Sequence, residues 1–365
     1  MTASNLHSKI ALVCSLPYGK GGMESMISTL VDNAALVGEV KTFFFDFHNA
    51  LNKNFFINNN VCLPNPKFPR IIQELCVVSC LRSFLSKYAP DSVICLDEKS
   101  CQLAYYSSVF LPTKTWILGS WLHRSLHTYK KTSFIKKMDF HLAISNGIKS
   151  QLENIGIDPK KISLLPNCNT ATYSIPSLPD TLSLTEKIHF IYIGRVQFDD
   201  QKNLKDLFSA FARLKLHCHL DIIGDGTSAD IIKCKNLCIK LGILNKVTFH
   251  GWQSNAWKYL ENAKIYNIAA LCLTSTYEGF PLVLIEAISQ GIFCISSDCQ
   301  TGPRDIIHSG NGILYPTGNI EKLAQAMNLS ISTHIDRTTI RKTAEIYSKN
   351  KYFKEINQIL LTRHA

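Results

Sequence analysis

Short apolar runs alternate with longer amphipathic stretches along almost the whole chain. This alternation predicts repeated strand–helix units and parallel sheets, an α/β architecture. The first strand is predicted at Lys9–Cys14, followed by the glycine-rich turn Gly19-Lys20-Gly21-Gly22 and a helix from Met23 to Leu36. Strands at Phe43–Phe47, Ser92–Leu96, Thr115–Leu118 and Phe140–Ile144 continue the series, with a helix over Ile71–Tyr88 and another opened by Ser145-Asn146-Gly147. Residues 174–180 (SIPSLPD) carry two prolines, which suit neither helix nor strand interiors, and read as a linker. A second series then starts afresh, with strands at His189–Ile193, Leu220–Ile223, Val247–His250, Ala270–Leu273 and Ile292–Ser296 and helices between them. Residues 341–361 are helical in period. The expected organisation is a first Rossmann-like domain over 1–170, a linker over 171–187, a second Rossmann-like domain over 188–340, and a C-terminal helix over 341–365 packed back on the first domain. A length of 365 residues suits two domains. Open parallel sheets bind ligands beyond the carboxyl ends of their strands, so two such edges facing across a cleft would clasp an elongated ligand.

Composition narrows the class. With 46% hydrophobic and 18% charged residues the chain is globular, and a largely disordered protein is excluded. The net charge is +11; residues 1–170 carry 18 basic and 11 acidic side chains, residues 171–365 carry 21 and 17. The surplus leans toward the first half and suits an anionic partner there, whether a phosphorylated substrate, an anionic membrane face or nucleic acid, although solubility alone also accounts for it. A nucleic-acid-binding protein is disfavoured, because Lys and Arg are scattered and no binding module is present. The densest cluster, Lys130-Lys131 with Lys136-Lys137, fits a membrane-facing or phosphate-facing patch, with Phe134 and Ile135 beside it as apolar anchors.

The 13 cysteines carry no recognised framework. Cys76/Cys80 and Cys234/Cys238 are i,i+4 pairs rather than zinc knuckles, and Cys14, Cys95, Cys272 and Cys294 sit in apolar runs as small buried hydrophobes. No apolar run approaches the roughly 18 residues of a spanning helix. The N-terminal apolar run is too short for a signal peptide. A cytoplasmic chain, attached at most to the inner face of a membrane, is expected.

Candidate chemistry gathers at predicted strand ends. The segment 270–291, ALCLTSTYEGFPLVLIEAISQG, ends a buried strand at Thr274-Ser275 and opens a helix carrying Glu286. Gly279 allows close backbone approach, Pro281 suits a first helical turn, and the helix N-terminus favours a phosphate or sugar hydroxyls. Glu286 lies about 7.5 Å along the axis beyond Pro281, so Glu278 and Glu286 can grip two ends of a nucleotide sugar. An ordinary helix with two acidic residues fits those residue types equally well. Gly194-Arg195 ends another strand, with Lys202 soon after; a guanidinium fork and an ammonium there can meet a diphosphate, or be two solvated bases in a loop. Gly224-Asp225-Gly226 and His250-Gly251-Trp252 mark two further strand ends, the second with its backbone able to face a nucleobase. Gly21-Gly22 is a flexible turn at a helix N-terminus, neither a dinucleotide fingerprint nor a P-loop. His123, following Ser120-Trp121-Leu122, can donate to a substrate hydroxyl, or simply pack.

Taken together, these residues resemble glycosyltransferase family 4, the retaining GT-B enzymes, over nearly the whole chain. The most specific element is E-x7-E, Glu278 to Glu286; GGMES, HLAISNGIK, QKNLKDLF, DIIGDG, GWQS-x-x-W, TSTYEGFPLVLIEA and ISSDCQTGPRD accompany it. The stretches look most like members that build the lipopolysaccharide core. The resemblance implies a GT-B fold with acceptor binding in the first domain and nucleotide-sugar binding in the second. It implies transfer of galactose from UDP-galactose to a glucose of a phosphorylated lipopolysaccharide core in a 1,6 linkage. Another UDP-hexose or acceptor, or a sugar-nucleotide epimerase, is the alternative. By motif, Arg195 and Lys202 would bind the diphosphate, Glu286 the ribose and Glu278 the donor sugar. Gly279, Phe280, Pro281 and Leu282 would offer backbone at the helix start, and Gly21, Gly22, Gly194, Gly224, Gly251 and Trp252 would line the donor. His123 would lie near the sugar or the acceptor hydroxyl. The loop between Arg195 and Lys202 is longer than in many members. Neither cofactor nor metal is implied: no DxD cluster sits at a strand end, and Asp199-Asp200 lies in a loop.

Overall fold

The computed structural model describes residues 8–17, 21–47, 60–109, 115–129, 131–175, 178–179, 181–333 and 336–364. They form two compact units: Met1–Cys168 with Lys349–Ala365, and Asn169–Ser348. The first contains a seven-stranded sheet, β1 (Ser8–Ser15), β2 (Gly38–Phe45), β3 (Asn60–Cys62), β4 (Ser92–Cys95), β5 (Ile117–Leu122), β6 (Phe140–Ala143) and β7 (Ile162–Leu164), in the order β3-β2-β1-β4-β5-β6-β7. Its strands are joined through α1 (Gly22–Asp32), α2 (Arg70–Tyr88), α3 (Glu98–Ser108) and α4 (Asn146–Asn154). Every pairing is parallel. A parallel strand is covered on both faces, which is why Ile10–Cys14 reads as an unbroken apolar run and is at most 1% exposed. The expected helix start at 145–147 is made by Ser145, whose hydroxyl accepts from Ile148 N–H at 3.2 Å.

The second unit repeats the plan with β8 (Ile188–Ile193), β9 (Cys218–Ile223), β10 (Val247–Gly251), β11 (Ile268–Leu273), β12 (Cys294–Ser297) and β13 (Gly312–Tyr315), ordered β10-β9-β8-β11-β12-β13 and again all parallel. Its helices are α5 (Leu204–Phe211), α6 (Ser228–Lys240), α7 (Ala256–Asn262), α8 (Leu282–Ser289), α9 (Pro303–Ile306), α10 (Ile320–Ser332) and α11 (Arg337–Thr343). In each sheet the strand order reverses beside the first strand, at β1/β4 and at β8/β11, where doubly wound sheets leave a crevice.

Two parts of the chain differ from the sequence-based expectation. The described residues of 171–187 pack into the second unit. Gln290 receives Ile175 N–H on Oε1 and donates to Tyr173 O, both at 2.8 Å, and Asn267 brackets Ser183 through its N–H and carbonyl. The fully buried Arg337 guanidinium donates to Pro179 O, Gly291 O and Ile268 O at 2.6–3.1 Å, fastening the same segment to α8 and β11. The predicted continuous helix over 341–361 is broken. Tyr347, whose hydroxyl donates to Asp305 O and whose ring meets Phe280, holds a single turn in the second unit. The last helix, α12 (Lys349–His364), belongs to the first unit. There Tyr352, Phe353, Ile356 and Leu360 are buried, Asn357 donates to Leu36 O, and Arg363 donates to Lys160 O and Ser163 Oγ. No described helix is long and apolar enough to cross a membrane.

A buried charge ties three strands of the second sheet together. Asp221 on β9, 2% exposed, accepts from His189 of β8 at 2.6 Å and from His250 of β10 at 2.7 Å; Tyr259 of α7 donates to the other nitrogen of His250. Burial alone would raise the Asp221 pKa, but the two imidazole hydrogen bonds outweigh it and hold the group at about 2. A carboxylate with a depressed folded-state pKa contributes stability above its unfolded value and loses it as pH falls through the folded one. The displacement corresponds to about 2 kcal/mol, roughly half of which is gone by pH 3. Urea unfolding of the wild type and Asp221→Asn should therefore show a stability gap that narrows by roughly 1 kcal/mol between pH 6 and pH 3; a gap independent of pH would show that Asp221 is not held in this way.

Candidate active site

The carboxyl edge of the second sheet brings most of the candidate residues into one unit. Gly194, Gly224 and Gly251 end β8, β9 and β10, linked by hydrogen bonds from Gly194 N–H to Ile223 O at 3.0 Å and from Gly224 N–H to Gly251 O at 2.8 Å. At Gly224 the backbone adopts φ +145, and a Cβ would fall 1.8 Å from Gly194 O. Only glycine lets these two strand ends approach so closely. Arg195 leaves the edge directly after Gly194. Its carbonyl is held by Tyr192 Oη at 2.6 Å, and its guanidinium donates to Gln201 Oε1 at 2.7 Å. Gln201 in turn donates to Tyr277 O, and its carbonyl accepts from Thr276 N–H, so the loop after β8 is laced to the loop after β11.

Lys202 and Glu278 meet at that junction. Lys202 Nζ lies 2.6 Å from Glu278 Oε1, and both side chains are largely buried, 14% and 9% exposed. The loop is closed from beneath by Thr274, whose hydroxyl donates to Lys202 O, and by Thr301, whose hydroxyl donates to Glu278 O. Gly302 lies against the next turn: at φ +91 a Cβ would sit 2.7 Å from Pro281 Cδ and 2.9 Å from Gly279 O. Pro281 occupies the N-cap of α8 rather than its first turn. Phe280, Pro281 and Leu282 turn their side chains inward, Phe280 against Tyr347, so backbone is what this helix start can offer a ligand.

Glu286 follows one turn into α8. Thr170 Oγ1 donates to its Oε1 at 2.7 Å and the Trp257 indole to its Oε2 at 3.2 Å. Burial raises its pKa, and these two donors counter the rise. Each oxygen retains capacity for a further donor such as a sugar hydroxyl. Trp252, just past β10, is 48% exposed. The supporting residues Thr170, Trp257 and Thr301 carry no signal readable from the sequence as partners of the acidic pair. Trp257 and Thr301 do sit inside the distinctive stretches GWQS-x-x-W and ISSDCQTGPRD.

The remaining candidates belong to the first unit. Gly21 is the N-cap of α1 and Gly22 its first residue, while Gly19 and Lys20 lie outside the described residues. His123 follows β5; its ring packs on Trp121 with centroids 4.3 Å apart, and its buried Nε2 meets no hydrogen-bond partner among the described residues. Burial lowers its pKa to about 3, so the ring is neutral at physiological pH and serves as a hydrogen-bonding group rather than a cation. Of the basic cluster, Lys131, Lys136 and Lys137 are exposed and line one concavity; Lys130 lies outside the described residues. Of the apolar anchors expected beside it, Ile135 is not available and Phe134 is half-buried. Ile135 is fully buried and Phe134 packs against Tyr105 and Tyr106, because the short turn that carries the lysines tucks its apolar side under α3.

Residues 178–347 match the family model for Glycosyl transferases group 1. The chain is 36% identical over 363 residues to the lipopolysaccharide 1,6-galactosyltransferase of Salmonella typhimurium, covering 97% of this chain and 99% of that one. It is 32% identical to the enzyme of the same name from Escherichia coli, covering 97% and 98%. The solved apo form of the lipopolysaccharide outer core galactosyltransferase WaaB superposes with a TM-score of 0.83 at 35% identity, over 97% of this chain and 99% of that chain.

Removing one member of a buried ion pair leaves the other charge uncompensated, at a cost of about 3 kcal/mol. Lys202→Met should lower the urea-unfolding stability by roughly that amount, and Lys202→Met combined with Glu278→Gln should regain most of it. A Lys202→Met chain as stable as the wild type would show that the pair does not hold the two loops together.

Proposed function

The chain belongs to the group 1 glycosyltransferases, and from that membership we propose that it transfers galactose from UDP-galactose to a glucose of the lipopolysaccharide core, forming a 1,6 linkage with retention at the anomeric carbon. The observation that carries this reading is the near full-length match to two enzymes named lipopolysaccharide 1,6-galactosyltransferase. The geometry supports a division of labour. Arg195 and Lys202 stand where two cations can meet the donor diphosphate and stabilise the charge that gathers on it as the glycosidic bond breaks. Lys202 is engaged by Glu278; a diphosphate arriving between them would compete for the ammonium and free the Glu278 carboxylate for hydroxyls of the donor sugar. Glu286, fixed by Thr170 and Trp257, accepts the ribose hydroxyls. The backbone at Gly279 to Leu282 supplies the N–H groups and dipole of the α8 start. Gly194, Gly224 and Gly251 allow the nucleotide close to the strand ends, with Trp252 beside the base.

The reaction balances without a strong protein base. The bond from galactose C1 to the diphosphate oxygen breaks, C1 bonds to the 6-oxygen of the acceptor glucose, and the acceptor proton passes to the departing diphosphate oxygen. His123, neutral and with an Nε2 that meets no partner among the described residues, hydrogen-bonds a substrate hydroxyl without needing to take up the proton. The phosphorylated acceptor and the cytoplasmic face of the membrane that bears it would be met by the lysine patch Lys131, Lys136 and Lys137.

The test is a panel of UDP-hexoses with purified core acceptor, read by product mass and linkage. Transfer of galactose in 1,6 linkage is expected, and absence of transfer from every UDP-hexose would overturn the reading. Arg195→Ala should lower kcat about 100-fold or more, the usual loss when one charge-stabilising donor is removed. Glu286→Ala should weaken UDP binding by about 10- to 100-fold in a folded protein, the worth of a hydrogen bond to a charged group. Binding to anionic vesicles should fall with salt, since exposed charges are screened within about 10 Å at 0.1 M. With Ile135 buried and Phe134 half-buried, at most a small salt-resistant remainder is expected.

A further inference from the structure

Eleven of the cysteines are buried, and the two exposed ones, Cys76 and Cys80, stand together. They lie one turn apart on α2, so their side chains share a face. That face meets β3, the outermost strand of the first sheet, where Cys62 is the last residue. The three Sγ atoms all lie within 4.8 Å of one another. The spacing C-x3-C on the helix is no zinc motif, and the third sulfur sits fourteen residues earlier; only the packing of α2 against this edge assembles the trio.

We propose that Cys62, Cys76 and Cys80 form a three-thiolate site for a soft, zinc-class divalent cation, with its fourth coordination position open. Three sulfurs at about 2.3 Å from a tetrahedral ion stand about 3.8 Å apart, so closing the site requires each pair to approach by no more than about 1 Å. Two of the thiols are on the surface, where small rotamer changes are inexpensive. Thiolates select soft or borderline cations over calcium and magnesium. Cys62 and Cys80 also line a concavity with Lys41, Asn60, Ser83 and Lys87, through which an ion and a water or anion as fourth ligand can enter. Each thiol gives up its proton to the buffer as its bond to the metal forms, and no electron is transferred. The bound ion would link the short strand β3, held to the sheet by pairing at three residues of β2, to the long helix α2.

The test uses the full reduced chain, stripped of metal by chelator and handled without oxygen, titrated separately with Cd²⁺ and Zn²⁺. Cd²⁺ should give thiolate-to-metal absorption saturating at one equivalent, and either ion should raise Tm. Cys76→Ser and Cys80→Ser, both at exposed positions, should each weaken binding by at least about 100-fold, since losing a ligand costs more than losing a group that merely hydrogen-bonds one. Cys168→Ser, a buried site elsewhere in the same unit, should leave it intact. Saturable binding that survives both α2 substitutions, or no saturable binding to the reduced wild type, would overturn the proposal. So would oxidation of the trio to a disulfide with no metal uptake after reduction. The readout involves neither donor nor acceptor and does not depend on the transfer reaction.

Discussion

Parallel pairing is the constraint from which the architecture follows. A parallel strand cannot be joined to its neighbour by a tight turn, so each connection crosses the sheet, and the helices of the crossovers cover both faces. The strands must then be apolar on both sides, as Ile10–Cys14 and Ile268–Leu273 are. The carboxyl ends all emerge on one edge, and the loops there are free of ladder duties. In the second unit that edge gathers Gly194, Gly224 and Gly251 into a contiguous row and lets the loop carrying Lys202 lean on the loop carrying Glu278.

The two acidic residues of the site are kept ready in different ways. Glu278 is paired with an ammonium, a partner that a stronger anion can take from it. Glu286 is held by two neutral donors, Thr170 and Trp257, which orient its oxygens without neutralising them. The first arrangement is exchangeable and the second is fixed. Asp221 shows a third arrangement, an aspartate braced by two imidazoles from the neighbouring strands.

Much of this was legible in the chain. The buried strands announced themselves as unbroken apolar runs, and the glycines and charges expected at the strand ends of the second series lie along one edge. The strands β3, β7 and β13 escaped because they are short and only partly buried, and so lack the unbroken apolar run that marked the equally short β4, β6 and β12. The linker was misplaced because its prolines say nothing of Gln290, Asn267 and Arg337, which hold the segment from a distance of many residues. Ile135 looked like a surface anchor beside four lysines, yet a three-residue helical turn alternates its faces fast enough to bury it completely. Cys76 and Cys80 could be placed on one helical face by counting, but their third neighbour is set by the pairing of β3 with β2, a long-range contact.

The return of α12 to the first unit bears on how the chain is made. In translation order the helix that bonds to Leu36, Ser92, Lys160 and Ser163 follows the second unit, although those residues precede it. The second unit, Asn169–Ser348, is continuous and can close as soon as it has emerged, while the earlier unit waits with an uncovered flank. Vectorial synthesis therefore inverts the order of completion: the unit translated second can close before the one that precedes it, which stays open on the flank that Tyr352, Phe353, Ile356 and Leu360 later cover.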